Sequence, residues 1–134
     1  MNWISVHTKG VRLVYGVCMA CAATIASAQD ISVPSTQPVS FLEFISENDG
    51  ALVRFRFLTP QIGEAFDYAA VSGDFQVLCD QQVMPALEAH ALNPTQIVLS
   101  MSAVDIPFGV DDPTVLQFFE IFRPEKGLCI WEEF

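Results

Sequence analysis

The sequence predicts an α+β domain: a mostly antiparallel sheet of about five strands and one main helix, in the order strands, helix, strands. Three stretches carry this expectation. Ala51 to Leu58 alternates, with Val53, Phe55 and Phe57 on one side and Arg54 and Arg56 on the other, the period-two mark of a strand. Phe75, Leu78, Cys79, Val83, Ala86, Leu87 and Ala91 recur at helical spacing. Phe118 to Phe122 and Leu128 to Trp131 are apolar runs on either side of Arg123-Pro124-Glu125-Lys126-Gly127, which predicts a closing hairpin around a Pro/Gly turn.

The first segment is not part of that domain. His7, Lys9 and Arg12 precede an apolar run, Leu13 to Ala26, and Ala26-Ser27-Ala28 has the small-x-small form of a signal-peptide cleavage site. Residues 1–28 are therefore expected to be a signal peptide cut between Ala28 and Gln29, leaving residues 29–134 as a single domain. The apolar run is about 14 residues, short of the roughly 20 that span a bilayer as a helix. Lipidation at Cys21 fits less well, because Cys18-Met19-Ala20 is far from the Leu-Ala-Gly that usually precedes a lipidated cysteine. The expectation is a periplasmic or secreted protein with no stable membrane span after cleavage.

Along the mature chain, Asp30 to Pro38 holds Pro34 and Pro38 and reads as an extended lead-in. Val39 to Ser46 and Ala51 to Leu58 form a predicted hairpin around Glu47-Asn48-Asp49-Gly50. Phe66 to Val71 is expected to be a short strand. Ser72 or Asp74 is expected to cap the main helix, with Asp74 and Asp80 suiting its N-terminal dipole. Pro85 lies inside the helical pattern and predicts a kink, or two short helices meeting near Met84. Asn93-Pro94 stops the helix. Ile97 to Ala103 alternates as a strand, and Asp105 to Pro113 is a loop. Repeats, low-complexity tracts and linkers are absent from the sequence.

Composition excludes several functions. The mature chain keeps all 16 acidic residues but only Arg54, Arg56, Arg123 and Lys126 of the basic ones, a formal net charge of −12. Nucleic acid and anionic membrane surfaces need clustered Lys and Arg, so neither is an expected partner. Cys18 and Cys21 leave with the signal peptide. Cys79 and Cys129 remain, and in an exported protein they have a single intramolecular pairing available.

Catalytic furniture is sparse, and neither a catalytic residue nor a cofactor is expected. The mature chain has one histidine, His90, late in the helix. Zinc sites lack ligands once both cysteines are oxidised. Ser100 and Ser102 lie in a strand rather than on a Gly-x-Ser-x-Gly turn. Asp105, Asp111 and Asp112 share one loop and are weak candidates for a hard cation such as calcium. Glu120, Glu132 and Glu133 offer a faint glycosidase-like pair.

Gln117-Phe118-Phe119-Glu120-x-Phe122-Arg123-x-Glu125-x-Gly127-x-Cys129-Ile130-Trp131-Glu132-x-Phe134 resembles the C-terminal signature of a family of small exported alphaproteobacterial proteins of unknown function. Arg54-Phe55-Arg56-Phe57, Cys79 and Ile97 to Ser102 are similar to that family too, so the resemblance covers most of the mature chain. It implies no activity. Some members carry an automatic acetolactate synthase label. That label is rejected here, since thiamine-diphosphate enzymes need large paired domains and a diphosphate-binding motif.

Three function classes stay open. The first is a non-enzymatic protein-interaction or binding module, as a homodimer or with a periplasmic partner. The second is a small hydrolase or cation-dependent enzyme using the loop acids. The third is a carrier of a small apolar ligand in a Phe-lined pocket. All 11 phenylalanines lie in the mature chain, and one helix about 10 Å wide cannot cover five strands about 24 Å across. Either the sheet curls on itself or an apolar face stays open to a partner.

Overall fold

The computed structural model describes residue 16 and residues 31–133, so the expected cleavage site at Ala28 and Gln29 lies outside the described residues. Five strands pair in chain order: β1 (Ser40–Glu47), β2 (Leu52–Leu58), β3 (Gln96–Ser102), β4 (Gln117–Glu125) and β5 (Leu128–Glu132). All neighbours are antiparallel except β2 and β3, which run parallel because the helical segment crosses over between them. This is the α+β architecture expected. The β1–β2 turn places Asn48, Asp49 and Gly50 successively at positive φ, where these residue types are least strained.

The helical segment differs at its start. Phe66 to Val71 is not a strand: α1 (Tyr68–Leu78) begins there, capped by Asp67, whose carboxylate accepts from Ala70 N at 2.9 Å. Val71, Phe75 and Leu78 set the helical period, and the shorter Phe66, Tyr68, Ala70 alternation is incidental to it. Asp74 is therefore mid-helix, not a cap. It is almost fully buried and ties down the lead-in: it accepts from Ser35 N at 2.9 Å, from Ser35 Oγ, and from Gln37 Nε2 at 2.8 Å.

Pro85 acts as expected. One π turn, Cys79–Val83, follows α1, and Met84 N bonds back to Cys79 O before α2 (Met84–Ala89) begins. The widened turn makes room for a proline ring that would otherwise meet the carbonyl one turn earlier. The helix ends in a Schellman motif, with Leu92 N to Leu87 O at 2.9 Å and Ala91 N to Glu88 O at 3.2 Å. Ala91 takes the left-handed position that glycine usually fills, at φ 51°.

The core lies between these helices and one sheet face, where Val71, Phe75, Leu78, Val83 and Leu87 meet Val53, Phe55, Phe57, Ile97, Leu99 and Met101. Val33 and Val39 of the lead-in join them. A bulge between Phe41 and Glu43 keeps Phe41 and Phe44 on this same face. They meet the Phe55 ring in tilted and edge-on contacts, with centroids 6.2 and 5.1 Å away, yet remain 50% and 39% exposed.

The closing hairpin is tighter than the sequence suggests. β4 runs through Pro124, and only Lys126 and Gly127 form the turn, at φ 50° and 79°. That is a two-residue turn of the primed kind. Glu125 and Leu128 flank it, so Pro124 and Cys129 form a pair that exchanges no ladder bonds, and the missing proline donor is not needed there. For the same reason Cys129 points its own amide outwards, where Gln76 Nε2 bonds Cys129 O at 3.0 Å and Asp80 accepts from Cys129 N at 3.3 Å. The sheet edge is thereby covered by side chains of the helical segment.

Cys79 and Cys129 form the expected disulfide at this point, joining residues 50 apart. Closing a loop of that length constrains the unfolded chain by about 4 kcal/mol. Reduction, or Cys129→Ser, is expected to lower the melting temperature by about 15 °C or more. Calorimetry with and without reductant checks this, and equal midpoints for the two forms would refute it.

Candidate functional site

The second face of the sheet carries the chemistry. Cross-strand register places Glu43, Arg56, Ser100 and Phe119 in one row, and Ile45, Arg54, Val98 and Ile121 in the next. The loop from Ala103 to Leu116 folds over these rows. Arg56 Nη2 bonds the Ile106 carbonyl at 2.6 Å, and the Arg54 guanidinium lies 5.5 Å from the centre of the Phe108 ring. Each arginine is also paired along the sheet, Arg56 with Glu43 and Arg54 with Glu47, the latter at 2.8 Å.

Between loop and sheet lies a cleft of about 320 Å³. Val98, Ile106, Phe108, Val110 and Phe119 form its apolar lining, and Arg54, Arg56, Gln117 and Asp111 supply polar groups. Ser100 is at its floor. The side chain is 4% exposed, and its hydroxyl has no hydrogen-bond partner. A buried hydroxyl left unpaired costs about 1–3 kcal/mol, so this position is not optimised for stability. At the rim Phe108 and Phe119 are about half exposed. An apolar cavity of this size with a few convergent polar groups is the usual form of a small-ligand site.

Two other hollows are less specific, and a third, of about 420 Å³ along the Ile31–Val39 lead-in, has Gln37 in its lining. One of about 640 Å³, between α2 and the β4–β5 turn, is lined by Pro85, Pro94 and Pro124 and by Asp80, Glu88 and Lys126. It holds neither of the two unpartnered buried polar atoms found among the described residues, Ser100 Oγ and Gln37 Oε1. The other, about 450 Å³, is almost wholly apolar and is framed by Phe41, Phe44, Phe55, Ala86, His90 and Leu92 on the helix-covered face.

The loop acids do not gather. Asp105 and Asp111 are exposed. Asp112 accepts from Thr114 Oγ1 at 2.7 Å and from Thr114 N at 3.0 Å, and these bonds, the side-chain one foremost, hold its carboxyl below the usual range. Among the described residues no group of three or more His, Cys, Asp or Glu side chains converges. Glu120 and Glu132 point to opposite faces: Glu120 is buried on the helix side, while Glu132 lies 3.7 Å from Arg123.

Glu120 is instead a pin. It accepts from Tyr68 Oη at the start of α1 and from Trp131 Nε1 at 2.8 Å. Edge-to-face contact of Tyr68 with Phe118, at 5.5 Å, and the Phe122–Trp131 pair, at 5.4 Å, surround it with rings. Alternation along β4 puts Glu120 on the same side as Phe118 and Phe122, and that is the signal in the sequence that marks it as inward-facing. Ser100, like Ser102, had a related signal, a polar residue within the largely apolar central strand.

Residues 17–134 match the family described as Family of unknown function (DUF6497). The chain belongs to this family. No curated protein and no solved structure matches it. In this DUF6497 chain the aromatic closing segment noted in the sequence is the shell around Glu120, so its residues serve the fold, and the cleft draws only Gln117 and Phe119 from it.

The Tyr68–Glu120 contact sets an alkaline dependence. The hydrogen bond to Glu120, then burial and the Glu120 charge, raise the Tyr68 phenol above its ordinary value of 10.0. The fold thus favours the neutral phenol. That contribution is complete below pH 10 and is lost as the pH climbs through the raised folded value. Tyr68 is the only tyrosine after residue 28, so in protein consisting of residues 29–134 phenolate absorbance reports it alone. Glu120→Gln is expected to bring that titration back towards the ordinary value. An unchanged titration would show that Glu120 does not control Tyr68.

Proposed function

We propose that this is an exported, periplasmic or secreted, non-enzymatic binding module, and that its working surface is the cleft between the second sheet face and the Ala103–Leu116 loop. The observation that carries the reading is Ser100: a buried, unpartnered hydroxyl on the floor of an apolar cavity. Such a group is destabilising in the empty protein and finds its partner in a ligand. Support for binding rather than catalysis comes from the lining. Among the described residues nothing within bonding reach removes the Ser100 proton, and His90, the only histidine after residue 28, belongs to the opposite face. Support for export comes from the signal-peptide pattern and from the oxidised Cys79–Cys129 pair.

The test is a fragment screen by NMR on protein recovered from the periplasm, whose intact mass should begin at Gln29. Ring-bearing fragments are expected to shift the amides of Ser100, Phe119 and residues 106–110. A screen in which those amides do not move would overturn the cleft as the site. A mass that retains residues 1–28 would overturn the export reading.

A second reading, a homodimer, is favoured by Phe41 and Phe44. They are large exposed apolar side chains on β1, whose outer edge is unpaired over Ser40–Glu47 among the described residues. Two β1 strands meeting antiparallel about a two-fold axis would close both edges and merge both Phe41/Phe44 strips. Glu43 and Glu47 would not repel their copies strongly, since Arg56 and Arg54 already pair with them. Light scattering at micromolar concentration is expected to give twice the mature mass. A strict monomer would refute this reading.

A further inference from the structure

We infer that the cleft takes its ligand as an anion, an apolar monocarboxylate held by Arg54 and Ser100. This rests on the reading of the cleft as a binding site and adds the chemical class of the ligand.

The inference comes from an account of which polar groups are already spent. Arg56 is 7% exposed, and its two terminal nitrogens go to Glu43 and to the Ile106 carbonyl. It is a fixed part of the wall that holds the loop down. Arg54 differs. Its Nε goes to Glu47, its guanidinium carbon lies 5.5 Å from the centre of the Phe108 ring, and among the described residues neither terminal Nη group donates a hydrogen bond. Ser100 keeps a free hydroxyl and lines the same cleft. Arg54 pairs with Val98, two residues along β3 from Ser100, so the two are diagonal neighbours on one face, within reach of a long side chain.

A guanidinium has only donors to offer, and the Ser100 hydroxyl can donate as well. The ligand group that satisfies both is an acceptor with two oxygens, and charge-assisted bonds of this kind are about twice as strong as neutral ones. The remaining wall is apolar and suits one ring or a short branched chain. Asp111 on the rim and the −12 formal charge of the mature chain disfavour a second negative group, hence a monocarboxylate. A cationic ligand fits less well, because the Phe108 ring is already met by Arg54.

Hydrocinnamate and hydrocinnamyl alcohol share one apolar body and differ in the head group. Titrated into the mature protein at low salt and followed by calorimetry and amide shifts, the acid is expected to bind about tenfold tighter than the alcohol. Arg54→Gln should erase that gap, weakening the acid far more than the alcohol, which loses only the contact of Arg54 with the Phe108 wall. Ser100→Ala, which removes an unpaired hydroxyl and therefore should not destabilise the fold, should narrow the gap several-fold. A purely structural role for either side chain would leave the acid-to-alcohol ratio unchanged. Equal affinities for the two compounds would overturn the anion inference and leave the cleft standing as a binding site. Failure of both to move the cleft amides would overturn the anion inference as well, and a silent fragment screen beside it would remove the site itself.

Discussion

The strand β3 is buried on both faces, and the rest of the molecule is arranged to make that possible. Only Gln96 at its start is partly exposed; Ile97 to Ser102 are all buried. A single crossover helix covers one face at most. The remaining cover comes from two irregular segments, the Ile31–Val39 lead-in beside α1 and the Ala103–Leu116 loop over the second face. Irregular backbone has no ladder to hold it, so each is fastened by a charged side chain that rises from a regular element: Asp74 of α1 takes the lead-in, and Arg56 of β2 takes the loop. Exposed ion pairs do much less. Arg123 and Glu125 are each about half exposed, and a pair of that kind contributes between zero and about 1 kcal/mol.

With sixteen acids and few cations, the chain uses its inward acids as hydrogen-bond acceptors rather than as ion-pair partners. Asp74 and Glu120 are both more than nine-tenths buried, and each accepts only from neutral donors. Asp80, more exposed, does the same for the Cys129 amide. Each of the three fixes the helical segment to a different partner: Asp74 to the lead-in, Asp80 to the β5 edge, Glu120 through Tyr68 to the middle of β4. The disulfide acts at the same junction as Asp80, so the far edge of the sheet is held by one covalent bond and two hydrogen bonds around a single residue, Cys129.

Strong periodicity was readable in the sequence; partnership between distant residues was not. The alternation of Val53, Phe55 and Phe57, the interruption at Pro85 and the pairing of Cys79 with Cys129 each follow from local spacing or from having a single option. Asp74 misled because a Ser-Gly-Asp run resembles a helix start, and nothing local reveals that Ser35 and Gln37 arrive from almost forty residues away. Pro124 misled because proline near glycine suggests a longer turn, whereas the lost donor matters only if the strand needed it on that side. The cleft was the least legible feature. Arg54 and Arg56 were visible as the outward side of a strand, but their meeting with Ser100 depends on the parallel register of β2 and β3, and its roof on where one loop settles.

The question of how one helix could cover a Phe-rich sheet has an answer that separates two kinds of apolar exposure. At β1, Phe41 and Phe44 are left open because the helical segment is narrower than the sheet, and they lie beside an unpaired strand edge among the described residues. Phe108 and Phe119 are different. Their face has a cover, yet the cover leaves a cavity instead of closing on Ser100. Filling that cavity with one larger side chain at Ser100 would remove an unpaired hydroxyl and a void together, and each of those is worth of the order of 1 kcal/mol or more. Ser100 Oγ is one of two unpaired buried polar atoms among the described residues, and it is the one that faces this cleft, which fits the proposed ligand site. The loop that forms the roof is fastened at one firm point, the buried Arg56–Ile106 contact, and at one softer point, Arg54 against Phe108. Arg54 is thus both the weaker clasp of the roof and the side chain with donors to spare, so a ligand in the proposed site would meet the same group that holds the loop.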